Sequence, residues 1–314
     1  MWRFIGVRLL QAVPVLIGVT FAVFGSIHLV PGDIAQTLLS VFYTEERGAA
    51  LRAQYGLDRP VLVQYGIWLW HLFQGDLGQS LMLRVPVIQV LKEKVANSLI
   101  LTGASLLIVI PTSFVLGTIA AAQFRKPIDR LIVFFAMLLA SLPVFWLGIV
   151  LLYLLGVTVR WFPMSGMYNM ANPGGLPDLL HHLALPAVTT ATTSIAIVTR
   201  VTRGALIDAL GQPYILSARA RGFGEFRVTY RHGVRTILPV FANMSGLQIG
   251  YLFGGAIFSE IIFNWPGVGL QLYNAILQRD VPMVQGCILA IAVVFVFSNL
   301  LADVIVHGLD VRRR

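Results

Sequence analysis

Charged residues are scarce in this chain. Only 12% of its 314 residues are Asp, Glu, Lys or Arg, whereas 57% are hydrophobic, and the mean hydropathy is +0.80. A soluble globular domain carries about twice that share of charged residues, roughly 25%. The composition therefore excludes a soluble domain and indicates an integral membrane protein.

Cysteine and lysine are also rare, and each shortage excludes a kind of chemistry. The single cysteine, Cys287, permits neither an intrachain disulfide nor a C-x-x-C pair for a metal ion, so no metal site is expected. The three lysines are followed by Glu93, Val95 and Pro127, whereas a phosphate-binding P-loop needs Lys followed by Ser or Thr. We therefore expect a chain that cannot hydrolyse ATP by that route and that binds no cofactor of its own.

The basic excess is distributed in a way that indicates membrane orientation rather than nucleic-acid binding. The net charge is +9, and the basic residues lie in short segments between apolar runs. If the N-terminus is cytoplasmic, 15 of the 23 basic residues fall on the inner side, and six of the other eight share the first outer loop with six acids. Both termini are therefore predicted to be cytoplasmic, with no nucleic acid among the partners.

Six apolar runs approach the roughly 20 residues that a helix needs to cross a membrane. The first follows Arg3 and Arg8 and is too long for the hydrophobic part of a signal peptide, so it is predicted to stay as a helix. The fourth has six Ser and Thr residues between Ala187 and Thr199, which favours burial among other helices. The runs cover residues 9–30, 98–122, 131–155, 183–203, 239–263 and 284–307.

These runs predict an all-α membrane protein with six transmembrane helices. Residues 1–30 form the first helix, and the loop 31–97, punctuated by Gly, Asp and Pro clusters, is predicted to fold as a small helical cap on the outer face. The other helices form a core over residues 98–310, which includes a cytoplasmic loop at 204–238. Residues 311–314 are a cytoplasmic tail.

A polar, arginine-rich stretch at residues 214–239 interrupts the hydrophobic chain. Arg227, Arg231 and Arg235 follow one another at four-residue spacing, which places them on one helical face where they can anchor to anionic headgroups. The small residues at 218–222 instead allow a short helix to end and another backbone to approach closely. That part of the stretch is predicted to be a protein docking surface.

Few polar residues of this chain suggest a catalytic or proton-carrying role. Asp303, in the last run, is either a proton carrier or a structural residue that forms a hydrogen bond together with Asn299. The structural interpretation is favoured, because that run contains no basic partner. Ser165 with His181 and His182 resembles a nucleophile and its base only loosely, because the spacing is unspecific. A turn serine and interfacial histidines are the favoured interpretation, and no catalytic residue is predicted.

Several motifs in order along the chain resemble the permease subunits of bacterial ATP-binding-cassette importers, in particular the oligopeptide and dipeptide branch. They are residues 29–33 (LVPGD), 56–60 (GLDRP), 64–65 (QY), 75–78 (GDLG) with Ser80, 185–187 (LPA), 218–222 (ARARG), 231–232 (RH), 263–269 (FNWPGVG), 279–282 (RDVP) and 299–303 (NLLAD). Three features depart from the family pattern. Leu216 stands in place of a glutamate, Pro239 follows Gly222 about one helical turn late, and residues 310–312 read DVR instead of DPR.

The resemblance implies a type I importer permease fold and a set of partners. These are a second permease subunit, two ATPase subunits that use ATP and Mg, an extracytoplasmic substrate-binding protein and the lipid of a bacterial or archaeal inner membrane. The residues that it implies contact the ATPase are Ala218, Arg219, Ala220, Arg221 and Gly222. Asn243, Ser245 and Gln248 are candidates to line the pathway, with helix–helix hydrogen bonding as the alternative.

The resemblance implies a cargo of dipeptides or oligopeptides, although glutathione, nickel chelates and sugars are carried by related proteins. The alternative function is an ion-coupled secondary transporter that acts without ATPase partners and uses Asp303 as its proton carrier. A third interpretation, a membrane-embedded hydrolase, would depend on Ser165.

Overall fold

The computed structural model describes residues 2–28, 36, 39, 42–55, 58–169 and 174–309. Some of the predictions above concern residues outside these ranges. They are the motif at 29–33, the first two residues of the motif at 56–60, the sequence at 310–312 and the tail at 311–314.

The described part of the chain is helical almost throughout and contains no β-strand, which confirms the predicted all-α class. Gln79 and Pro86 form only an isolated bridge. The helices are α1 (Trp2–His28), α2 (Glu45–Tyr55), α3 (Val61–Phe73), α4 (Val87–Ala122), α5 (Pro127–Ser141), α6 (Val144–Leu151), α7 (Gly175–Leu210), α8 (Pro213–Ala220), α9 (Glu225–Arg227), α10 (Val234–Ile262), α11 (Val268–Leu277) and α12 (Val281–Leu309). Two π-helical segments, Leu152–Thr158 and Val228–Gly233, continue α6 and precede α10.

Five of the six predicted spans are single long helices. Among the described residues, the segments long and apolar enough to cross a membrane are Gly6–Gly25, Val87–Ala122, Gly175–Leu210, Glu225–Ile262 and Val281–Val304. The third predicted run is instead two helices, α5 and α6, bent by 101° at the break between them. The total is therefore six spans if the bent pair counts as one.

Pro143 explains the break that the hydropathy of the third run does not reveal. A proline clashes with the backbone of the residue before it and drives that residue out of the helical region. Leu142 accordingly ends α5 with ψ 132°, and Pro143 is extended as well, with ψ 130°, before α6 begins. Two consecutive extended residues are enough to turn the chain sharply.

The chain forms two compact units, whose boundaries fall within α4, between α10 and α11, and within α12. In the unit made of residues 99–265 and 297 onward, α7 is the central helix, with 72% of its most apolar window buried. This confirms that the threonine-rich fourth run is buried among other helices. Small and branched residues of α7 pack against α4 and α10, including Ala191 and Val198 with Val109 and Leu252.

Glycine permits the closest approach between α4 and α7. A Cβ atom added at Gly117 would lie 2.7 Å from the Cβ of Thr202 and 2.9 Å from the carbonyl oxygen of Thr199. Both atoms belong to the backbone or lie next to it, so no side-chain rotation can make room. The packing of these two helices therefore depends on the missing side chain at Gly117.

The other unit, residues 2–98 and 266–296, contains the short helices expected in the cap segment. Its core combines Val87, Leu91, Val268, Ala275, Met283 and Cys287. Asp280, which is 2% exposed, accepts hydrogen bonds from the Ser80 hydroxyl and from the backbone N–H groups of Leu81 and Met82. Ser98 accepts a hydrogen bond from the Val268 N–H. Ser80, Val268 and Asp280 come from three of the recognised motifs, so residues of these motifs contribute to the contacts of this unit.

Gly117→Ala should destabilise the chain, because the new methyl group forces α4 and α7 apart. Overpacking of this kind costs about 1–3 kcal/mol, and thermal unfolding of the detergent-solubilised protein measures the loss. Gly103→Ala on the same helix is the control, since nothing lies within 4 Å of a Cβ atom there. Equal melting temperatures for the two variants would contradict the close-packing argument.

Candidate functional site

The segment predicted to dock on another protein is a short helix with a well-defined end. Helix α8 begins at Pro213, whose fixed φ suits the first helical position. It ends at Ala220, and Gly222 adopts φ +84°, a left-handed conformation that glycine adopts without strain. The Phe223 N–H donates to the Ala218 carbonyl and the Gly222 N–H to the Arg219 carbonyl, which together form a Schellman motif.

A small hydrophobic cluster fixes α8 to the segment that follows it. Ile215, Ala218 and Val228 are buried, and Phe223 packs against them from just beyond the Schellman turn. The Phe223 ring also stacks on His232, with 5.8 Å between ring centroids. The loop is therefore folded on its own core rather than extended.

This core changes which of the predicted contact residues can face a partner. Ala218 is 2% exposed, so its side chain packs inward and supports the helix. Arg219, Ala220, Arg221 and Gly222 are exposed. The surface available for docking is therefore carried by these four residues and by the exposed side of α8.

Two arrangements hold the arginines of this surface. Arg219 makes a two-pronged ion pair with Glu225, with nitrogen–oxygen distances of 2.9 and 3.0 Å. The guanidinium groups of Arg221 and Arg227 lie over the Phe223 ring, 5.9 and 5.6 Å from its centroid. Each of these guanidinium groups therefore has a partner within the loop itself.

Sequence reasoning missed several exposed apolar side chains beside these arginines. Leu216 is 56% exposed and Phe226 is 77% exposed, and the ring of Phe226 contacts that of Tyr230. Apolar residues inside an otherwise polar stretch were the available signal. They give the surface an apolar as well as a basic character.

The three arginines predicted to share a helical face are all exposed. Arg227, Arg231 and Arg235 alternate with a buried series at the same spacing, Thr229, Gly233 and Ile237. The π-helical segment Val228–Gly233 lies within this stretch, so the helix is not a regular α-helix here. Gly233 packs directly against α7, since an added Cβ atom would lie 2.9 Å from the Leu206 side chain.

Arg203 has a role that the sequence did not reveal. The predicted fourth run, 183–203, ends at this residue, but α7 continues to Leu210, so Arg203 lies inside the helix. Its Nε and Nη2 atoms donate to the two carboxylate oxygens of Asp129 at 2.5 and 2.8 Å. Asp129 also accepts from the Arg125 N–H and is 2% exposed, so this ion pair joins the start of α5 to α7.

The candidate pathway residues lie on one stretch of α10. Asn243 is half-buried, whereas Ser245 and Gln248 are 7% and 5% exposed. The Ser245 Oγ and Gln248 Oε1 atoms have no hydrogen-bond partner among the described residues. Within this part of the structure, then, these two atoms do not take part in helix–helix hydrogen bonds.

The residues of the alternative interpretations lie in separate places. Asn299 and Asp303 are half-buried, one turn apart on α12. Ser165 is exposed, while His181 Nε2 lies 2.7 Å from the Trp161 carbonyl and His182 Nδ1 lies 3.0 Å from an Asp178 carboxylate oxygen. The described residues therefore bring no histidine into hydrogen-bond contact with Ser165, and they contain no group of three potential metal ligands.

Spanning helices, a polar buried helix and a structured basic loop between two of the spans define a multi-pass membrane protein. The family described as the binding-protein-dependent transport system inner membrane component matches residues 113–314, and its N-terminal counterpart matches residues 1–99. The chain belongs to this family, which confirms the resemblance drawn from the motifs.

Relatives named as peptide transport permeases match this chain along nearly its whole length. It is 34% identical to the oligopeptide transport system permease protein AppB of Bacillus subtilis, over 97% of each chain. It is also 34% identical to the dipeptide transport system permease protein DppB of Alkalihalophilus pseudofirmus, over 97% of each. Identity to DppB of Escherichia coli K12 is 32%, over 100% of this chain and 99% of that protein.

Arg203→Ala should destabilise the protein strongly, because it leaves the buried Asp129 carboxylate without its counterion. Removing one member of a buried pair costs about 3–5 kcal/mol, whereas replacing both members costs less. We therefore expect the Asp129→Ala, Arg203→Ala double variant to melt at a higher temperature than Arg203→Ala alone.

The matched control for the Arg203→Ala variant is Arg219→Ala. The Arg219–Glu225 pair is exposed, and such pairs contribute at most about 1 kcal/mol to stability. If Arg203→Ala and Arg219→Ala lowered the melting temperature equally, the Asp129–Arg203 pair would not be the structural tie described above.

Proposed function

We propose that this chain is one of two permease subunits of an ATP-driven importer of dipeptides or oligopeptides. The observation that carries the proposal is its similarity, over nearly the full length, to relatives named for dipeptide and oligopeptide transport. The ion-coupled alternative has no comparable support. Asp303 is its only specific feature, and this residue lies near the end of α12.

The proposal includes the partners and the orientation of the chain. A second permease completes the pathway, two ATPase subunits bind on the cytoplasmic side, and an extracytoplasmic binding protein delivers the peptide. The positive charge of the loops supports an inner-membrane location with both termini in the cytoplasm. The chain itself has no catalytic role and binds no cofactor, and the ATPase subunits use the ATP and Mg.

In this arrangement, the segment from α8 to Gly222 receives the mechanical input. Arg219, Ala220, Arg221 and Gly222 face the ATPase, and Ala218 holds the helix on its core. Closure of the ATPase pair moves the loop. Because only two residues separate α7 from α8, and Gly233 contacts Leu206, the movement passes directly to α7 as a rigid-body shift.

The polar residues of α10 fit a role in the pathway. Leaving a buried polar atom unpaired costs about 1–3 kcal/mol of stability. The burial of Ser245 and Gln248 is therefore unfavourable unless their unpaired atoms gain partners in another state. We propose that they, with Asn243, become accessible to peptide or water when the helices move.

The proposal keeps the domain limits predicted from the sequence, with the cap at 31–97 and the permease core at 98–310.

Uptake by the reconstituted complex tests the function. Proteoliposomes that contain both permeases and both ATPase subunits should accumulate labelled peptide only when the binding protein is outside and ATP is on the ATPase side. A non-hydrolysable ATP analogue is the matched control. Uptake that continues without ATP and stops when the proton gradient is collapsed would overturn the proposal in favour of ion coupling.

Gly222→Val should uncouple ATP hydrolysis from transport. The left-handed φ at this position costs a non-glycine residue about 1–2 kcal/mol, so the end of α8 must rearrange. No atom lies within 4 Å of the added Cβ, so the effect comes from the backbone alone. We expect the ATPase subunits to remain bound and active while peptide uptake falls severalfold.

Gly224→Val is the matched control for Gly222→Val. Gly224 lies two residues further on, has open space around it and adopts φ −63°, which any residue can adopt. Equal uptake by the two variants would remove the proposed coupling role of Gly222.

A further inference from the structure

A π-helical turn interrupts the helix that leads from the docking loop (residues 211–227) into the membrane. Residues 225–262 form one continuous helical segment, within which Val228–Gly233 is π-helical. The Val234 N–H donates to the Thr229 carbonyl, five residues earlier, whereas an α-helix uses a spacing of four. The turn therefore holds one residue more than α-helical winding needs. Turns of this kind are frequent at functional sites.

The surplus residue lets the helix pack in two places at once. Val228 is buried with Ile215 in the core of the docking loop, and Ile237 is buried with Leu206 of α7. Leu210 packs against both clusters, so the clusters adjoin and the helix presents both side chains to the same side. In a regular α-helix, a separation of nine residues at about 100° each would place Val228 and Ile237 on opposite faces. The π-helical turn removes this conflict.

Two side-chain contacts connect the docking helix α8 to the π-helical turn. The Thr236 hydroxyl donates to the His232 carbonyl inside the turn, and it lies 2.8 Å from the hydroxyl of Tyr214 on α8. The Phe223 ring, just beyond α8, stacks on the His232 ring. A movement of α8 therefore acts on the π-helical turn as well as on α7.

We propose that Val228–Gly233 is a two-state joint between the docking loop and α10, an inference that rests on the proposed function. In the π-helical state, Val228 lies in the loop core while Gly233 lies against Leu206 of α7. When closure of the ATPase pair displaces α8, the turn rewinds to an α-helix. The residues before the turn then rotate by about 100° relative to α10, and Val228 leaves the loop core while Gly233 stays on α7. Two discrete packings of one segment are a recurring basis of conformational switching.

Maleimide labelling of Val228→Cys in the assembled transporter tests the joint. Val228 is 0% exposed in the π-helical state, so its reactivity should rise severalfold when a non-hydrolysable ATP analogue holds the ATPase pair closed. Thr229→Cys is the matched control. Thr229 is buried and lies four residues before Gly233, so it stays on the side of α7 in both states and should remain unreactive. The native Cys287, also 0% exposed, gives the background.

Deletion of Arg231 tests the surplus residue itself. The shortened segment can wind as an α-helix with Val228 and Ile237 both in their present places, so the fold and ATPase binding should be kept. The joint is then locked. Peptide uptake should fall severalfold, and Val228→Cys should stay unreactive when the ATP analogue is added. Arg231→Ala is the matched control, since it removes the same exposed side chain but keeps the residue count, and it should transport like the wild type.

The outcomes separate this inference from the proposed function. Suppose that the wild-type complex imports peptide in an ATP-dependent manner. Equal labelling of Val228→Cys with and without the analogue, or full uptake by the Arg231 deletion, would then overturn the joint and leave the proposed function intact. Uptake by the wild-type complex without ATP would overturn both.

Discussion

The packing of the threonine-rich helix α7 against its neighbours is the constraint on which the larger unit depends. Its buried positions alternate small residues with Thr and Ser, so α4 and α10 can approach closely. On the α4 side, Gly117 has no side chain to block this contact. In a membrane, where lipid is as apolar as leucine, close packing of this kind replaces the hydrophobic effect as the main source of helix association. Hydroxyls such as Thr190, which donates to Ser259, add polar ties across the same contact.

The far end of α7 combines two further contacts. Arg203 ties it to the start of α5 through a buried carboxylate, and Leu206 receives Gly233 from the π-helical segment before α10. Since α8 begins three residues after α7 ends, the proposed docking helix is attached to the most buried helix of the unit. A force applied to α8 therefore acts on a tightly packed element rather than on a loose loop, which is what mechanical coupling requires.

The loop itself is built in a similar way on a smaller scale. A Schellman turn ends α8, Phe223 covers a core of Ile215, Ala218 and Val228, and the same ring carries two guanidinium groups. A surface that is ordered in advance loses less conformational entropy when a partner binds. One aromatic side chain thus serves both the stability of the loop and the arrangement of its charges.

Much of the structure of this protein, and its family, could be predicted from the sequence alone. The all-α class, the positions of the long helices, the burial of the fourth run, the end of α8 before Gly222 and the family were all predicted, because hydrophobic run length, glycine position and ordered motifs are local properties. The bend at Pro143 was missed although its cause is local, since hydropathy averages over the proline. The pairing of Asp129 with Arg203 and the inward direction of Ala218 depend on residues brought together from separate helices. Only the tertiary structure could decide these, because the energy of a buried charge or a close contact depends on the surrounding atoms and not on sequence neighbours.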